Sequence, residues 1–443
     1  ASAGSGGGGG AAGVEPPSGG MGGVGGSSAI CPGGGQVTCA VPAATSSTTT
    51  LTVTVDTSIG LATHVASGGL EGLAVGNMPP DALLLPLKPK VFTQAADTSS
   101  PGLNPTADAL KVAPQAARAG AQVAMRVADV IDSYPYQWPG WTQWLAMVDQ
   151  VVSARAVSGA ANILGYDLWN EPNLNWPTAA GTFDQMWART FAEIRVHDKT
   201  TPTIGPSWTS YNDALMRDFL TNAKSAAALP DFVSWHELQG STRIAGDIAA
   251  YRALEKSLGL SPRPISINEY GRRAELGVPG SLIGYIAQFE RYGVHDACLG
   301  NWYPPLGSFD GLIVDNSKPN GAWWLYKWYG DMSGQMVAVT AATQSGLDGA
   351  AAVAATDQNV SIIFGGAAGT GDIRISGFDH LACYGANAQV TLEHVVSSGR
   401  TVAVSGTTTI SKTTMPICGG VITIHATDLV AADGYHLLVQ PSP

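Results

Sequence analysis

The segment from residue 57 to about residue 330 alternates between short strand-like runs and amphipathic helix-like runs. Residues 121–130 and 202–208 are apolar and short, as expected of buried strands. Residues 141–155 and 281–293 instead repeat their apolar side chains at helical spacing. Repeated strand–helix units of this length predict parallel β/α units, and the segment is long enough for an eight-fold (β/α)8 TIM barrel.

The helical pattern ends near residue 331, and short strand-like runs separated by turn residues continue to residue 443. This pattern predicts an accessory all-β sandwich domain of roughly seven strands over 331–443, with one strand over 400–410. The early run "TTTLTVTVD" alternates apolar and polar residues, which is typical of a half-buried strand. Since a barrel offers it no obvious partner, we expect residues 47–56 to join the sandwich.

The first 46 residues are rich in glycine and nearly free of charge, so they are predicted to form a disordered tether that is dispensable for folding. Residues 20–25, "GMGGVG", match a dinucleotide-binding pattern. No strand-like run precedes this match and no helix-like run follows it, so we assign it no function.

The charge balance bears on the kind of partner. The net charge of −11 argues against a nucleic-acid ligand, which requires clustered basic residues. No apolar run is long enough to predict a membrane span. The eight histidines lack the spacing of a metal site, so neither metal nor cofactor is predicted. The oligomeric state is left open.

The five cysteines are compatible with an oxidising compartment. Cys31 and Cys39 are close enough in sequence to close a short loop. Cys383 and Cys418 both lie among the last strands and are predicted to form a disulfide, whereas Cys298 is expected to be buried and free. We expect a secreted or extracytoplasmic protein, with the glycine-rich segment as a possible surface tether.

Two strand-like runs each end in a glutamate. Glu171 follows the apolar run of residues 163–168, and Glu269 ends the run in "RPISINEYG". Counting the runs between them, which include residues 231–238, makes Glu171 the end of barrel strand 4 and Glu269 the end of strand 7. Because catalytic groups of parallel barrels lie at the carboxyl ends of strands, the two side chains are expected to converge.

Two converging carboxyl groups are what hydrolysis of a glycosidic bond requires. One protonates the leaving oxygen and the other stabilises or attacks the anomeric carbon. Pro172 is expected to restrict Glu171 to an extended backbone. Glu269 is expected to be ionised, and Glu171 to stay protonated near the working pH.

The motifs "LWNEPNL" and "INEY" resemble those of clan A glycoside hydrolases, and within them family 39, which includes β-xylosidases and α-L-iduronidases. The stretches "TIGPSW" and "VSWHEL" are similar to the fifth and sixth barrel strands of that family. The resemblance covers about residues 48–443. It implies a retaining mechanism with Glu171 as acid/base, Glu269 as nucleophile, and His236 as a sixth-strand hydrogen-bonding group.

Six residues, His236 among them, are candidates for binding the sugar. They are amides and imidazoles that can bond hydroxyl groups, or aromatic side chains on loops that follow strands. The candidates are Asn170, His236, Trp302, His64, Trp176 and Tyr134.

The predicted function is that of a secreted retaining glycoside hydrolase acting on a plant- or microbial-type polysaccharide or oligosaccharide. Exo action and endo action remain alternatives, because the aromatic loops at 133–141 and 172–182 could block a cleft or line it. A non-catalytic glycan-binding protein on a hydrolase scaffold is the alternative from another class. Neither the sugar nor its linkage is predicted.

Overall fold

The computed structural model describes residues 39–40, 49–96, 104–300, 307–309 and 311–442. The predicted glycine-rich tether lies outside these residues, except for Cys39 and Ala40. Cys39 is bonded to Cys418, which argues against the prediction that the tether is dispensable. The first described strand, β1, is Thr50–Leu61. It begins near the predicted position but is longer than expected.

Eight parallel strands form a closed barrel, as predicted. The first strand pairs with both the second and the eighth, which closes the ring. Each strand is short and almost entirely buried, because side chains fill the interior and helices cover the outside. The strands are β2 (Gly68–Leu70), β3 (Val91–Ala95), β4 (Gln122–Arg126), β5 (Ile163–Asp167), β6 (Thr203–Trp208), β7 (Phe232–Glu237), β8 (Ile265–Tyr270) and β9 (Asp296–Leu299).

The predicted helices over 141–155 and 281–293 are present, each with bounds shifted by a few residues. No described helix has both the length and the apolar character needed to cross a membrane. The helices are α1 (Asp81–Leu84), α2 (Ala109–Arg118), α3 (Trp141–Ser158), α4 (Pro172–Asn175), α5 (Phe183–His197), α6 (Asp213–Ser225), α7 (Ile244–Ser257), α8 (Pro279–Arg291) and α9 (Gly321–Asp331).

The chain then forms a small hairpin and a nine-stranded, mostly antiparallel sheet. Its strand order is β17-β16-β19-β14-β13-β12-β1-β15-β18. The hairpin and sheet strands are β10 (Ile313–Val314), β11 (Lys318–Pro319), β12 (Gln335–Ala341), β13 (Asp348–Val353), β14 (Val360–Gly365), β15 (Gly369–Ser376), β16 (Asn387–Val395), β17 (Thr408–Pro416), β18 (Val421–Leu429) and β19 (Gly434–Pro441).

The second sheet curls so that both of its ends share one apolar core. Val390 of β16 and Ile422 of β18 belong to the same buried cluster, although these strands lie near opposite edges. The early strand β1 lies within this sheet, antiparallel to β12 and parallel to β15. The sheet therefore holds the chain on both sides of the barrel sequence.

One strand and the disulfide differ from the sequence predictions. The strand expected over 400–410 begins only at Thr408, because the exposed β17 lacks an alternating apolar pattern. The predicted Cys383–Cys418 bond is wrong: Cys418 is bonded to Cys39, and Cys383 belongs to a different disulfide. This also excludes a bond between Cys31 and Cys39. Cys298 is free and buried, as expected.

Candidate active site

Glu171 lies just beyond the carboxyl end of β5, and Glu269 lies near the end of β8. These are the fourth and seventh strands of the closed barrel, the order that the sequence predicts. Glu269 is only 4% exposed. Both side chains line one cavity of about 270 Å³ at this end of the barrel.

Glu171 has a left-handed backbone, with φ 50° and ψ 50°, so the predicted extended conformation is wrong. Its backbone N–H donates to the carbonyl of Ser207 on β6, with an N···O distance of 3.0 Å. Pro172 then begins α4. A non-glycine residue in this region carries strain of roughly 1–2 kcal/mol, and such strain is common at functional sites. The hydrogen bond to the neighbouring strand stabilises the conformation and directs the carboxyl group into the cavity.

His236 lies between the two glutamates. Its Nδ1 is 3.3 Å from Oε1 of Glu171 and 3.6 Å from Oε2 of Glu269. One carboxylate oxygen from each glutamate and one ring nitrogen all lie within 4.8 Å of one another. Retaining glycosidases place their carboxyl groups about 5–5.5 Å apart, whereas inverting enzymes separate them by about 6.5–9.5 Å. The spacing here agrees with the retaining arrangement.

Arg126, at the end of β4, supplies the positive charge beneath Glu269. Its Nη1 donates to Oε1 of Glu269 at 2.8 Å, and its Nε donates to Oδ2 of Asp167 at 3.1 Å. Burial would lower the pKa of Arg126, but Glu269, Asp167 and Asp129 together raise it well above its usual value. Arg126 therefore remains a fixed cation that orients the Glu269 carboxylate.

Asp167 links this ion pair to neighbouring strands. It accepts hydrogen bonds from Ser207 Oγ at 2.7 Å and from Asn268 Nδ2 at 2.9 Å. Its side chain is completely buried. Four strands of the barrel thereby contribute to holding Arg126, so Glu269 sits on a rigid support.

Glu171 has a different environment, because both of its oxygens are occupied. One oxygen lies beside His236, and the other accepts a hydrogen bond from the hydroxyl of Tyr134. Burial raises the pKa of Glu171, but His236 and Tyr134 lower it more, so that the pKa lies below its ordinary value. The direction of this shift is opposite to the raised pKa expected for a group that stays protonated.

Of the predicted sugar-binding residues, the structure brings three to the glutamates. Asn170 and Tyr134 line the cavity, and His236 contacts both carboxyl groups. Trp302 lies outside the described residues.

His64 and Trp176 do not line the cavity. His64 precedes β2, at the opposite end of that strand from the site. Its Nε2 lies 3.0 Å from the carbonyl of Met332, and burial lowers its pKa. Trp176 packs against Trp169 and Trp138 with ring centroids 5.1 and 5.0 Å apart. It supports the wall behind the cavity because its ring is part of this aromatic cluster.

Several residues of the site were missed in the sequence. Arg126 and Asp129 are charges next to an apolar strand-like run, and this signal was available. Glu71 and Asn104 also line the cavity, but neither was predicted to be a site residue. Glu71 reaches the cavity through the closure of the barrel, which brings the first strand beside the eighth.

Buried polar atoms without a hydrogen-bond partner are concentrated here among the described residues. They include Arg126 Nη2, Asn170 Oδ1, Asn268 Oδ1 and both ring nitrogens of His236. Buried polar groups are normally bonded, so such a group of unsatisfied atoms beside a cavity indicates a place for a polar ligand. Glu171, His236 and Glu269 could also hold a cation by distance alone, but Arg126 already neutralises Glu269.

A larger cavity of about 470 Å³ lies between α9 and the second sheet. Its lining includes Trp324, Glu393 and His436 but neither strand-end glutamate. We assign the chemistry to the smaller cavity, because the paired carboxyl groups and the arginine line it and His236 contacts both carboxyl groups.

No protein-family model matches the sequence. Two curated arabinofuranosidases from bifidobacteria are similar to it over part of their length. The 3-O-alpha-D-galactosyl-alpha-L-arabinofuranosidase of Bifidobacterium longum subsp. longum is 27% identical over 71% of this chain and 28% of its own. The 3-O-beta-L-arabinopyranosyl-alpha-L-arabinofuranosidase of Bifidobacterium pseudocatenulatum is 31% identical over 44% of this chain and 21% of its own. The chain thus spans about a quarter of the length of these relatives.

Solved structures share the whole fold. The GH39 enzyme from Xanthomonas axonopodis pv. citri is 14% identical with a TM-score of 0.64, over 89% of this chain and 97% of that chain. The closed barrel and the second sheet give the chain the fold of a clan A glycoside hydrolase similar to family 39. Within that class, the chain belongs to the same family as N2152 from Neocallimastix frontalis. That protein is 34% identical over 89% of this chain and 100% of its own, with a TM-score of 0.86.

Proposed function

We propose that this chain hydrolyses α-L-arabinofuranosidic bonds of plant- or microbial-type glycans with retention of anomeric configuration. The observation that carries the mechanism is the spacing of Glu171, His236 and Glu269, within 4.8 Å of one another. The arabinofuranose is supported by the names of the two curated relatives, which share that sugar and differ in the one attached to it.

Glu269 is the proposed nucleophile. Its carboxylate is held by Arg126 at 2.8 Å, and a fixed, oriented carboxylate can attack the anomeric carbon without reorganising. The glycosyl–enzyme bond forms as the bond to the leaving oxygen breaks. Attack removes the negative charge of Glu269, which leaves Arg126 paired with Asp167 and avoids an unpaired buried cation.

Glu171 is the proposed acid/base. The leaving oxygen can reach its carboxyl group by displacing the Tyr134 hydroxyl, because Tyr134 lies on a loop and is 41% exposed. Loss of that hydrogen bond and closure of the site by the sugar both raise the pKa of Glu171. The group can then carry the proton that the leaving oxygen needs, and it takes a proton from water in the second step.

Substitution of each glutamate distinguishes these roles. Glu269→Ala is expected to lower kcat by at least about 10³-fold, and azide should restore turnover to give a glycosyl azide of inverted configuration. Glu171→Ala should still cleave an activated aryl glycoside, and azide should then give a product of retained configuration. Glu193→Ala, on the outer helix α5, is the matched control and should retain full activity.

The configuration of the first product tests the mechanism independently of the sugar. Proton NMR of the reaction shows the anomeric configuration of the first product. An inverted product from the unsubstituted enzyme would contradict the retaining assignment. A panel of aryl α-L-arabinofuranosides, β-D-xylosides and α-D-galactosides tests the sugar. No turnover of any member would favour a glycan-binding protein, and cleavage only within longer chains would favour endo action.

The proposed location is outside the cytoplasm. The bond between Cys39 and Cys418 supports this location, because structural disulfides persist in oxidising compartments. Recovery of the free thiols from native protein, measured by non-reducing peptide mapping, would contradict it.

A further inference from the structure

A third glutamate lines the active-site cavity. Glu71 follows β2 directly, is 8% exposed, and borders the same cavity as Glu171 and Glu269. Its backbone has φ 46°, and its N–H donates to the carbonyl of Thr93 on β3 at 2.8 Å. A left-handed glutamate is unfavourable by itself, so this bond is needed to hold the side chain toward the cavity.

The groups that face Glu71 come from several elements. Asn104 donates a hydrogen bond from Nδ2 to Oε1 of Glu71. Asp129 and Arg126 belong to β4 and the turn after it, and Glu269 belongs to β8. Arg126 already donates hydrogen bonds to Glu269 and Asp167, so its charge is shared among carboxylates.

These surroundings favour the neutral form of Glu71. Burial contributes most, and the charge of Asp129 adds to it; together with Glu269 they raise the pKa of Glu71 to about 8, although Arg126 and Asn104 act in the opposite direction. Near neutral pH these surroundings therefore favour the carboxylic acid form of the side chain. One oxygen accepts from Asn104, which leaves an O–H group as a hydrogen-bond donor.

We propose that Glu71 is a specificity-determining residue, which donates a hydrogen bond as a carboxylic acid to a hydroxyl oxygen of the sugar bound beside Glu269. This inference rests on the proposed glycosidase function. The O–H of the same sugar hydroxyl can donate a hydrogen bond to an ionised carboxylate of the site. The site therefore recognises this hydroxyl both as an acceptor and as a donor. A site built in this way rejects a sugar that lacks this hydroxyl, because buried polar groups then lose their partners.

Ionisation of Glu71 would replace the donor with another acceptor. Asp129, Glu269 and Glu71 would then all be hydrogen-bond acceptors for a single sugar hydroxyl inside a buried cavity. The value of kcat/KM should therefore fall above about pH 8 in the unsubstituted enzyme. Tyr134 does not titrate in this range, since burial and its bond to Glu171 raise its pKa far above 10, and the pKa of Glu171 is lowered.

The test compares the pH profile of kcat/KM for Glu71→Gln, Glu71→Ala and the unsubstituted enzyme on one aryl glycoside. Glutamine keeps a neutral donor, so Glu71→Gln should retain activity near pH 6 and lose the decline near pH 8. Alanine has no donor and should lower kcat/KM about 10- to 100-fold, mainly through KM.

Glu237→Gln is the matched control. Burial raises the pKa of Glu237 to about 8 as well, but this side chain accepts from Trp235 Nε1 at 2.7 Å and does not line the cavity. Its substitution should leave the decline near pH 8 in place. A decline that persists in Glu71→Gln, or one that Glu237→Gln removes equally, overturns the proposal. A melting temperature that changes without any change in the pH profile also overturns it, because that result indicates a purely structural role.

Difference infrared spectroscopy separates this proposal from the proposed function. The unsubstituted protein minus Glu71→Gln should show the C=O band of a protonated carboxylic acid at pH 7, and added L-arabinose should shift it. Absence of the band overturns the inference even if the enzyme is active. Absence of turnover by the unsubstituted enzyme counts against the proposed function. The inference about Glu71 is judged separately, and it fails if the band is missing or if L-arabinose does not shift it.

Discussion

The carboxyl end of the barrel and the core of the second sheet use buried side chains in opposite ways. At the barrel end, Arg126, Asp167, His236 and Glu269 are each at most 4% exposed, and the arginine and the two carboxylates are held together by ion pairs and hydrogen bonds. The core of the second sheet is a single cluster of aliphatic and aromatic side chains. The stability of the barrel end depends on all of its charged side chains being present together. In the core of the second sheet, each side chain contributes to stability through its own buried area.

This difference reflects a division of roles. Buried charges cost free energy unless every partner is present, so they are retained where chemistry requires them. Apolar packing provides stability without a comparable dependence on single partners. We therefore expect substitutions at the barrel end to affect activity and stability together, and substitutions in the second sheet to affect stability alone.

The largest effect is expected from Arg126→Ala. Removing the guanidinium leaves Glu269 and Asp167 buried without their cation, and breaking a buried ion pair costs about 3–5 kcal/mol of unfolding free energy. Activity should be lost as well. Urea denaturation and kcat measure both effects. Arg243→Ala is the control, because Arg243 is 47% exposed in its pair with Asp247 and should cost less than about 1 kcal/mol. Equal losses in the two variants would contradict the comparison.

Leu437→Ala removes a fully buried side chain from the core of the second sheet. The expected loss of unfolding free energy is about 2–5 kcal/mol, from lost burial and from the cavity left behind. Below the melting transition kcat/KM should be unchanged, since no ionic group is involved. A fall in kcat/KM while the protein remains folded would show that the sheet acts on the active site.

Cys418→Ser removes the disulfide between Cys39 and Cys418. A bond that constrains so long a loop of the unfolded chain contributes roughly 2–4 kcal/mol. The melting temperature should fall and kcat/KM should not. An unchanged melting temperature would indicate that the residues before β1 add nothing to the stability of the sheet.

The smallest effect concerns pH. Burial raises the pKa of Glu237 to about 8, above its ordinary value. The folded state therefore binds a proton that the unfolded state has released, and stability falls as pH rises from the ordinary value toward 8. Glu237→Gln should reduce this fall by about 1–3 kcal/mol, measured by urea denaturation at pH 5 and pH 9. Equal pH dependence in both proteins would show that Glu237 is hydrated.

Local patterns predicted much of the fold. The barrel strands follow from short apolar runs, and α3 and α8 follow from helical spacing. The two glutamates were found because each stands where an apolar run turns polar. Strand β17 was misplaced because it is exposed on both faces, and a strand of this kind has no alternation to detect.

Long-range contacts could not be predicted in the same way. Arg126 meets Glu269 only after the barrel closes, and Cys39 meets Cys418 across nearly the whole chain. The rule for residues before proline failed at Glu171, because the hydrogen bond to Ser207 on the adjacent strand stabilises a backbone that the local sequence disfavours. The lowered pKa of Glu171 likewise depends on Tyr134 and His236, which come from other parts of the chain.

The position of β1 has a consequence for how the protein is made. Leu51 on this strand lies opposite Ala341 on β12, and the whole barrel sequence is synthesised between them. When β1 leaves the ribosome, neither of its neighbouring strands exists, so its apolar face, which includes Val53 and Val55, has no native cover. Exposed strand edges of this kind favour aggregation of nascent chains. The barrel can therefore form early in translation, but β1 can pair with its neighbours only after β12 and β15 have been synthesised.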